Sequence, residues 1–181
     1  MNGKQLKNSI LQWAIQGKLV PQDPNDEPAS VLLERIRAEK ARLVKEKKIK
    51  KDKNESIIYR GEDNSYYEKF LATREVKCID EEIPFEIPAT WEWCRLLSIV
   101  SLLGDGIHGT PEYSEGGSVY FINGNNLFDG QILIKPDTKT VSKEEAVKHS
   151  RLLNESTVLV SINGTIGNIA FYSGENVILG K

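Results

Sequence analysis

The sequence predicts an α+β protein in which an N-terminal helical hairpin or arm precedes a β-rich domain with one short helix. Apolar side chains recur at helical spacing before residue 45, on both sides of a proline-rich corner. Residues 83–181 instead hold short runs of β-forming residues separated by Gly, Asn, Asp and Ser. Residues 54–82 between them are polar and poor in aliphatic side chains. We therefore predict a helical arm over 1–53, a partly ordered linker over 54–82 and a β-rich domain over 83–181.

The first predicted helix covers residues 4–17. Leu6, Ile10 and Trp13 recur on one face, and Gly17 suits a C-terminal cap. Residues 21–28 contain three prolines, each of which lacks an amide donor and restricts the residue before it, so no helix continues through them. A second helix is predicted to begin at residues 28–30. The two helices are expected to form a hairpin that packs on another surface.

The second helix ends in a lysine-rich segment, residues 45–53, which contains six lysines. Two interpretations remain open for this segment. It is either a solvated helix end that leads into a linker, which is the commoner role of such a run, or an arm that contacts phosphates.

Six strands are predicted in the second domain, at 93–99, 118–122, 131–134, 157–162, 168–172 and 176–179. Ser142 and Glu145 fit a capping box that opens a short helix reaching about His149. The last strand ends close to the C-terminus, so we expect the β-rich domain to be incomplete there.

Charge is distributed unevenly along the chain. The net charge of −2 combines +6 over residues 1–60 with −8 over residues 61–181. An acidic second part disfavours non-specific nucleic-acid binding, which depends on phosphate neutralisation, but permits base recognition by a local patch. No apolar run approaches the ~18 residues of a membrane span, and the N-terminus lacks a signal-peptide core. We expect a cytoplasmic protein with no membrane partner and with Cys78 and Cys94 reduced.

Three motif fragments are too weak to predict catalysis. Asp137 follows a proline in a fragment of a metal-dependent nuclease signature, but one aspartate cannot supply both positions of a two-metal site. The segment 164–167 is too short for a phosphate-binding Walker loop and no Lys-Ser/Thr follows it. His108 and His149 have no zinc-ligand pattern around them. We predict no catalytic residue, no metal site and no cofactor bound by this chain.

Polar, turn-rich segments beside the predicted strands are the candidate binding elements. They cover residues 105–113, 120–126 and 161–170. Loops held by a rigid sheet are where binding residues concentrate, although glycines and asparagines in such loops also serve simply as turn formers.

Three blocks of this sequence resemble the specificity subunit of type I restriction–modification enzymes. The first block covers residues 6–40 and includes Ser9-Ile10-Leu11-Gln12-Trp13-Ala14. The second is Ile87-Pro88-Ala89-Thr90-Trp91-Glu92-Trp93-Cys94-Arg95-Leu96. The third runs from Gly109-Thr110-Pro111 through Ile122-Asn123-Gly124-Asn125-Asn126-Leu127 to Gly164-Thr165-Ile166-Gly167.

The resemblance implies a subunit that recognises one half of a split site in double-stranded DNA. It also implies helical spacers that dock modification subunits, which use S-adenosylmethionine to methylate adenine, and a separate restriction subunit that uses ATP and Mg²⁺. One helical region and one recognition domain, where the family has two recognition domains, imply a fragment or a half-subunit that self-associates to restore the two-domain form.

Recognition is expected to come from loop side chains in a DNA groove. Asparagine can pair with adenine through two hydrogen bonds, and Thr, Tyr or Lys can contact bases or phosphates. The predicted DNA-binding residues are His108, Thr110, Tyr113, Asn123, Asn125, Asn126, Lys139, Lys143 and Asn163.

A protein-interaction or assembly module without autonomous DNA recognition is the main alternative, with the helical hairpin as its working surface. A stand-alone nuclease is a distant third. A concave, locally basic face carrying residues 105–113 and 123–126 would favour DNA, whereas a flat acidic face would favour the module.

Overall fold

The computed structural model describes residues 2–180, and the chain divides into two compact units between Leu103 and Gly104. Four α-helices and ten short strands occur among the described residues, which confirms the α+β class. The predicted domain limits at residues 53 and 82 stay predictions. No helix among residues 2–180 is long and apolar enough to cross a membrane.

Two helices separated by the proline-rich corner open the first unit. Helix α1 (Gly3–Ile15) is capped by Asn2, whose side chain accepts the N–H of Gln5 at 2.9 Å, while the Gln5 side chain accepts the N–H of Asn2 at 2.8 Å. Gly17 follows the helix at φ +66°. Helix α2 (Ala29–Lys45) begins directly after Pro28, so both predicted helices and the break between them are confirmed.

The corner between α1 and α2 packs against the segment 88–91. The Gln22 carboxamide donates to the Gly17 carbonyl at 3.1 Å and accepts the Trp91 indole N–H at 2.8 Å. A Cβ on Gly17 would lie nearer than 3.0 Å to the Pro88 ring, so this position needs glycine both for its backbone conformation and for this close approach. Beyond the corner, none of the side chains of α1 is buried, and Trp13 is 55% exposed.

The segment predicted as a partly ordered linker carries an antiparallel sheet in the order β1-β2-β3. Its strands are β1 (Ser56–Arg60), β2 (Tyr66–Phe70) and β3 (Val76–Cys78). Few aliphatic side chains hold this sheet. It is stabilised instead by a Tyr59–Tyr67 stack with ring centroids 5.9 Å apart and by an ion pair between the buried Glu68 of β2 and the partly exposed Arg95.

The predicted strand at 93–99 is wrong. Residues 93–95 are in no strand, and Leu96–Ile99 form the short helix α3. Ser98 N–H donates to the Arg95 carbonyl at 2.8 Å, and the Lys40 ammonium on α2 donates to the Leu97 carbonyl at 2.5 Å. A short apolar run is compatible with either a strand or a helix, and here these two hydrogen bonds stabilise the helix.

Residues 104–180 of the second unit contain seven strands and one α-helix. In chain order they are β4 (Val119–Ile122), β5 (Leu127–Phe128), β6 (Gln131–Ile132), β7 (Thr140–Val141), α4 (Lys143–His149), β8 (Val158–Val160), β9 (Ile169–Phe171) and β10 (Val177–Leu179). The other five predicted strands and the predicted short helix are therefore confirmed.

Strand β4 is the centre of the second unit. It pairs in parallel with β10 and antiparallel with β7, while β5–β6 and β8–β9 form separate antiparallel pairs. Val119 of β4 belongs to one apolar cluster and Ile122 to another, so β4 connects the two parts of the core. The two clusters consist of Ile107, Val119, Val141, Ala146 and Ile178, and of Ile122, Leu127, Ile132, Leu159 and Ala170.

Candidate functional site

An open cleft of about 430 Å³ lies in the second unit, rimmed by three polar loops. Five of the nine predicted site residues line it, two from the first loop, two from the second and one from the third: His108, Thr110, Asn123, Asn125 and Asn163. Gly109, Gly124, Gly164, Ile107 and Phe121 complete the lining. The structure therefore brings together residues that are up to 55 positions apart in the sequence.

The first loop, residues 107–114, is held at both ends by the sheet. Ile107 N–H donates to the Leu179 carbonyl at 2.7 Å, and Ser114 N–H donates to the Thr140 carbonyl at 2.9 Å. Between these anchors His108 is 68% exposed, with its Nε2 2.5 Å from an Asp105 carboxylate oxygen. The loop thus presents His108 and Thr110 to solvent from a fixed base.

The second loop is a 3₁₀ turn, Gly124–Asn126, capped by Asn123. Asn123 Oδ1 accepts the Asn125 N–H at 3.2 Å, whereas the Asn125 carboxamide itself makes no hydrogen bond within residues 2–180. Asn126 is buried, with its Nδ2 donating to the Leu133 carbonyl at 2.9 Å and to Thr138 Oγ1 at 3.1 Å. Asn126 therefore holds the turn and does not line the cleft.

The third loop, residues 161–168, is joined to the second by Asn168. Its Nδ2 donates to the Gly124 carbonyl at 3.1 Å, and its N–H donates to Ser161 Oγ at 2.9 Å. Ser161 Oγ in turn donates to the Thr165 carbonyl. Ser161 and Asn168 shape the cleft without being among the predicted site residues. The only sequence signal for them is their place in the polar turn-rich segment.

Four basic side chains and one tyrosine of the second unit bear on how charge is distributed around the cleft. Lys135, which the sequence analysis missed, donates to the Asn125 carbonyl at 2.8 Å. Lys139 and Lys143 are exposed and outside the cleft lining. Tyr113 is also outside it, but its ring centroid is 5.9 Å from that of Phe121, which lines the cleft. Lys148 is exposed but forms an ion pair with Glu145 at 2.7 Å.

Asp137 occupies the polar turn after β6. Thr138 N–H donates to the Lys135 carbonyl at 3.0 Å, and Lys135 N–H donates to Thr138 Oγ1 at 2.8 Å, so the turn closes on itself. Within the described chain, no three His, Cys, Asp or Glu side chains are grouped so as to hold a metal ion.

Glu145 connects the first loop to α4. Its carboxylate accepts the Glu112 N–H at 3.1 Å and the Lys148 ammonium at 2.7 Å, and it lies 3.2 Å from His149 Nε2. Ser142 Oγ accepts the Glu145 N–H as predicted. The Glu145 side chain accepts the Glu112 N–H instead of the Ser142 N–H, so the second half of the predicted capping box is not formed. The Lys148 ammonium, together with the Glu112 N–H, lowers the pKa of Glu145 to about 2.

Glu145→Ala is expected to release the first loop, with faster hydrogen exchange at the Glu112 amide. Because the folded-state pKa of Glu145 is lower than its ordinary value, the stabilisation is complete above about pH 4.5 and is lost as the pH falls towards 2. Glu145→Gln keeps an oxygen for the Glu112 N–H, so it should protect that amide but remove this part of the pH dependence. The measurement is amide exchange against pH, with the exposed Glu155→Gln as control. An unchanged pH profile in Glu145→Gln would contradict the assignment.

The chain is thus an α+β protein with an open polar cleft rimmed by three loops. No family model and no solved structure matches it. Two curated Escherichia coli proteins do. The type I restriction enzyme EcoAI specificity subunit is 39% identical over 163 residues, and the type I restriction enzyme EcoEI specificity subunit is 34% identical over 161 residues. The matches cover 90% and 88% of this chain.

The chain is therefore a relative of the type I restriction enzyme specificity subunits, which confirms the resemblance seen in the sequence. It spans about a quarter of the length of these two relatives, since the matched region covers 24% of each.

Proposed function

We propose that this chain is a DNA-recognition part of a type I restriction–modification complex and recognises one half of a split DNA target. The observation that carries the proposal is the cleft, where five polar side chains from three loops face one opening. The similarity to the two specificity subunits, which extends over 90% and 88% of this chain, supports DNA as the ligand.

Asn125 is the first candidate for base recognition. Its side chain is exposed, and both its carboxamide oxygen and its carboxamide nitrogen are free of hydrogen bonds within residues 2–180. One donor and one acceptor on a planar group match the N7 and N6 positions of adenine in the major groove. Asn123 and Asn163 each already accept one backbone N–H on Oδ1, so within residues 2–180 only their carboxamide nitrogens make no hydrogen bond.

A local excess of positive charge supports a phosphate-contacting role near the cleft. Residues 135–143 hold Lys135, Lys139 and Lys143 against a single carboxylate, Asp137, and none of the three lysines is in an ion pair within the described chain. Lys135 lies directly beside the cleft through its bond to Asn125. Phosphate contacts fix the register in which loop side chains meet the bases.

The helical arm is proposed to dock the modification subunits. Leu6, Ile10 and Trp13 on α1 are 51%, 42% and 55% exposed, which leaves an apolar helix face available for a partner. In this proposal the modification subunits carry S-adenosylmethionine, and the restriction subunit carries ATP and Mg²⁺. This chain itself catalyses no reaction, and the complex works in the cytoplasm. Self-association through the arm would restore two recognition domains.

The test is selection from a randomised duplex pool, with and without a cognate modification subunit, followed by sequencing of the bound DNA. Enrichment of one short half-site is expected. Asn125→Ala should then weaken binding to that half-site by about 1–3 kcal/mol and relax the preference at one base pair. Asn154→Ala removes an exposed carboxamide outside the cleft and should leave the preference unchanged.

The exposed face of α1 favours one other function, an assembly module that binds protein partners without recognising DNA. In that case no half-site is enriched even when the modification subunit is bound. That result would overturn the DNA proposal, and the predicted DNA-binding residues would be withdrawn.

A further inference from the structure

We propose that the lysine-rich segment, residues 45–53, is a second phosphate-binding site that takes the backbone of double-stranded DNA. The segment belongs to the first unit, whereas the cleft belongs to the second. The choice of DNA as the anion rests on the proposed function. The existence of an anion site rests on the charges and contacts of the segment itself.

The lysine-rich segment is an ordered connection between α2 and β1. Lys48 N–H donates to the Leu43 carbonyl at 2.9 Å, which closes the end of α2, and Asn54 N–H donates to an Asp52 carboxylate oxygen at 2.8 Å just before β1 begins. Ile49, the one apolar residue of the segment, is half-buried. These anchors hold the lysines on a defined stretch of backbone.

Most of the positive charge of this segment is not neutralised by the protein. The segment has six lysines and two carboxylates, Glu46 and Asp52. Lys48 pairs with Glu46 at 2.8 Å, but the other carboxylate oxygen of Glu46 is taken by Arg42 at 2.7 Å. The remaining five lysines are exposed and make no ion pair within residues 2–180: Lys45, Lys47, Lys50, Lys51 and Lys53.

Four of the six arginines of the first unit pair with carboxylates within residues 2–180, among them Arg60 with Glu86 at 3.5 Å. Arg35 pairs with Glu27 at 3.0 Å, Arg42 pairs with two glutamates, and Arg95 pairs with Glu68 and Glu82. Lys48 and Lys77 also form ion pairs in this unit, but the other five lysines of the lysine-rich segment form none within residues 2–180. The segment therefore keeps a concentrated charge that repels itself and is relieved by an external anion.

Duplex DNA fits the size and chemistry of this segment. Nine residues span at most about 30 Å when extended, and B-DNA carries one phosphate charge per ~1.7 Å of axis, so several phosphates fall within reach. Lysine binds phosphate as a flexible point charge and imposes no base preference. Insertion of apolar side chains strengthens binding to a lipid surface, but the single isoleucine of the segment is half-buried, so the segment offers a lipid surface its charge alone.

The test compares two triple variants that remove the same charge from different places. Lys47, Lys50 and Lys51 are replaced by alanine in one, and the exposed Lys4, Lys7 and Lys18 in the other. Affinity of the full chain is measured by fluorescence anisotropy across a salt series, on the enriched half-site duplex and on a scrambled duplex of equal length. Anionic vesicles containing phosphatidylserine are a third ligand.

We expect the plot of log K against log salt to become less steep in the first variant, by about 0.9 for each lost phosphate contact and by up to about 2.7 in total. The change should be equal on both duplexes. The second variant should keep the wild-type slope. Equal slopes in the first variant and the wild type would overturn the inference. Equal losses in both variants would also overturn it, because net charge and not position would then govern binding.

The outcomes separate this inference from the proposed function. If only the proposed function fails, the two duplexes bind equally, yet the first variant still loses slope on both. If only the inference fails, the half-site preference persists and the slope is unchanged. If the lysine substitutions weaken binding to vesicles but not to DNA, the segment binds membranes and the inference is overturned. If the wild-type chain binds neither duplex, both the inference and the proposed function are overturned.

Discussion

Arg95→Ala is expected to lower the free energy of unfolding of the first unit by about 3 kcal/mol, because it leaves the Glu68 carboxylate buried without its partner. The Glu68 side chain is 4% exposed and accepts Arg95 Nε at 3.0 Å, a second guanidinium nitrogen, and Ser56 Oγ at 2.5 Å. The expected loss is at the lower end for buried ion pairs because Arg95 itself is 42% exposed.

Arg35→Ala is the matched control for this prediction. It also removes a two-pronged arginine–glutamate pair, at 3.0 Å to each Glu27 oxygen, but both side chains are largely exposed. Its expected cost is below about 1 kcal/mol. The free energy of unfolding of both variants is measured by urea denaturation. Equal losses would contradict the prediction that burial of Glu68 makes the Glu68–Arg95 pair more stabilising than the exposed pair.

The same pair has a predictable pH dependence. The Arg95 guanidinium lowers the pKa of Glu68, so the stabilisation is present above the ordinary glutamate pKa of 4.5 and is lost as the pH falls below it. Replacing both partners, as in Glu68→Gln with Arg95→Met, should recover much of the stability lost in Arg95→Ala and flatten this pH dependence.

Gly106→Ala is expected to destabilise the second unit by about 3 kcal/mol and to displace the first loop of the cleft. A Cβ at this position would lie nearer than 3.0 Å to the Gly180 and Leu179 carbonyls. Those atoms cannot easily move aside, because Leu179 accepts the Ile107 N–H at 2.7 Å and Gly180 donates to the Ile122 carbonyl at 2.7 Å. An alanine side chain at residue 106 would therefore displace the backbone of Leu179 and Gly180, which anchors the first loop.

Gly109→Ala provides the control within the same loop. A Cβ there meets no atom within 4 Å, so stability should stay within about 0.5 kcal/mol of the wild type. Thermal and urea denaturation test the comparison, and amide exchange at residues 107–110 reports the position of the loop. If Gly106→Ala were as stable as Gly109→Ala, the close packing of Gly106 against Gly180 would be refuted.

Local sequence determined the helices and most of the strands. The face formed by Leu6, Ile10 and Trp13, the prolines after it, and the Ser142 cap each act within a few residues, so their consequences can be predicted without knowing the fold. The strand–turn pattern of the second unit was predictable for the same reason, as was the presence of polar loops beside the strands.

Long-range contacts decided the remaining structure. The apolar run at Leu96–Ile99 forms a helix beside Lys40 and Arg95, whose partners lie far away in sequence. The sheet at 56–78 depends on an ion pair to the buried Glu68 carboxylate and on an aromatic stack, neither of which an aliphatic pattern reveals.

The cleft shows the same division most clearly. Sequence alone supplied the candidate polar side chains, but only the Ile107–Leu179 and Asn168–Gly124 hydrogen bonds bring the three loops to one opening. Asn125 and Asn126 are identical in chemistry and adjacent in sequence, yet the 3₁₀ turn exposes the first and buries the second. Residue type and local turns were therefore set by the sequence, whereas which side chains face a ligand was set by backbone hydrogen bonds between distant segments.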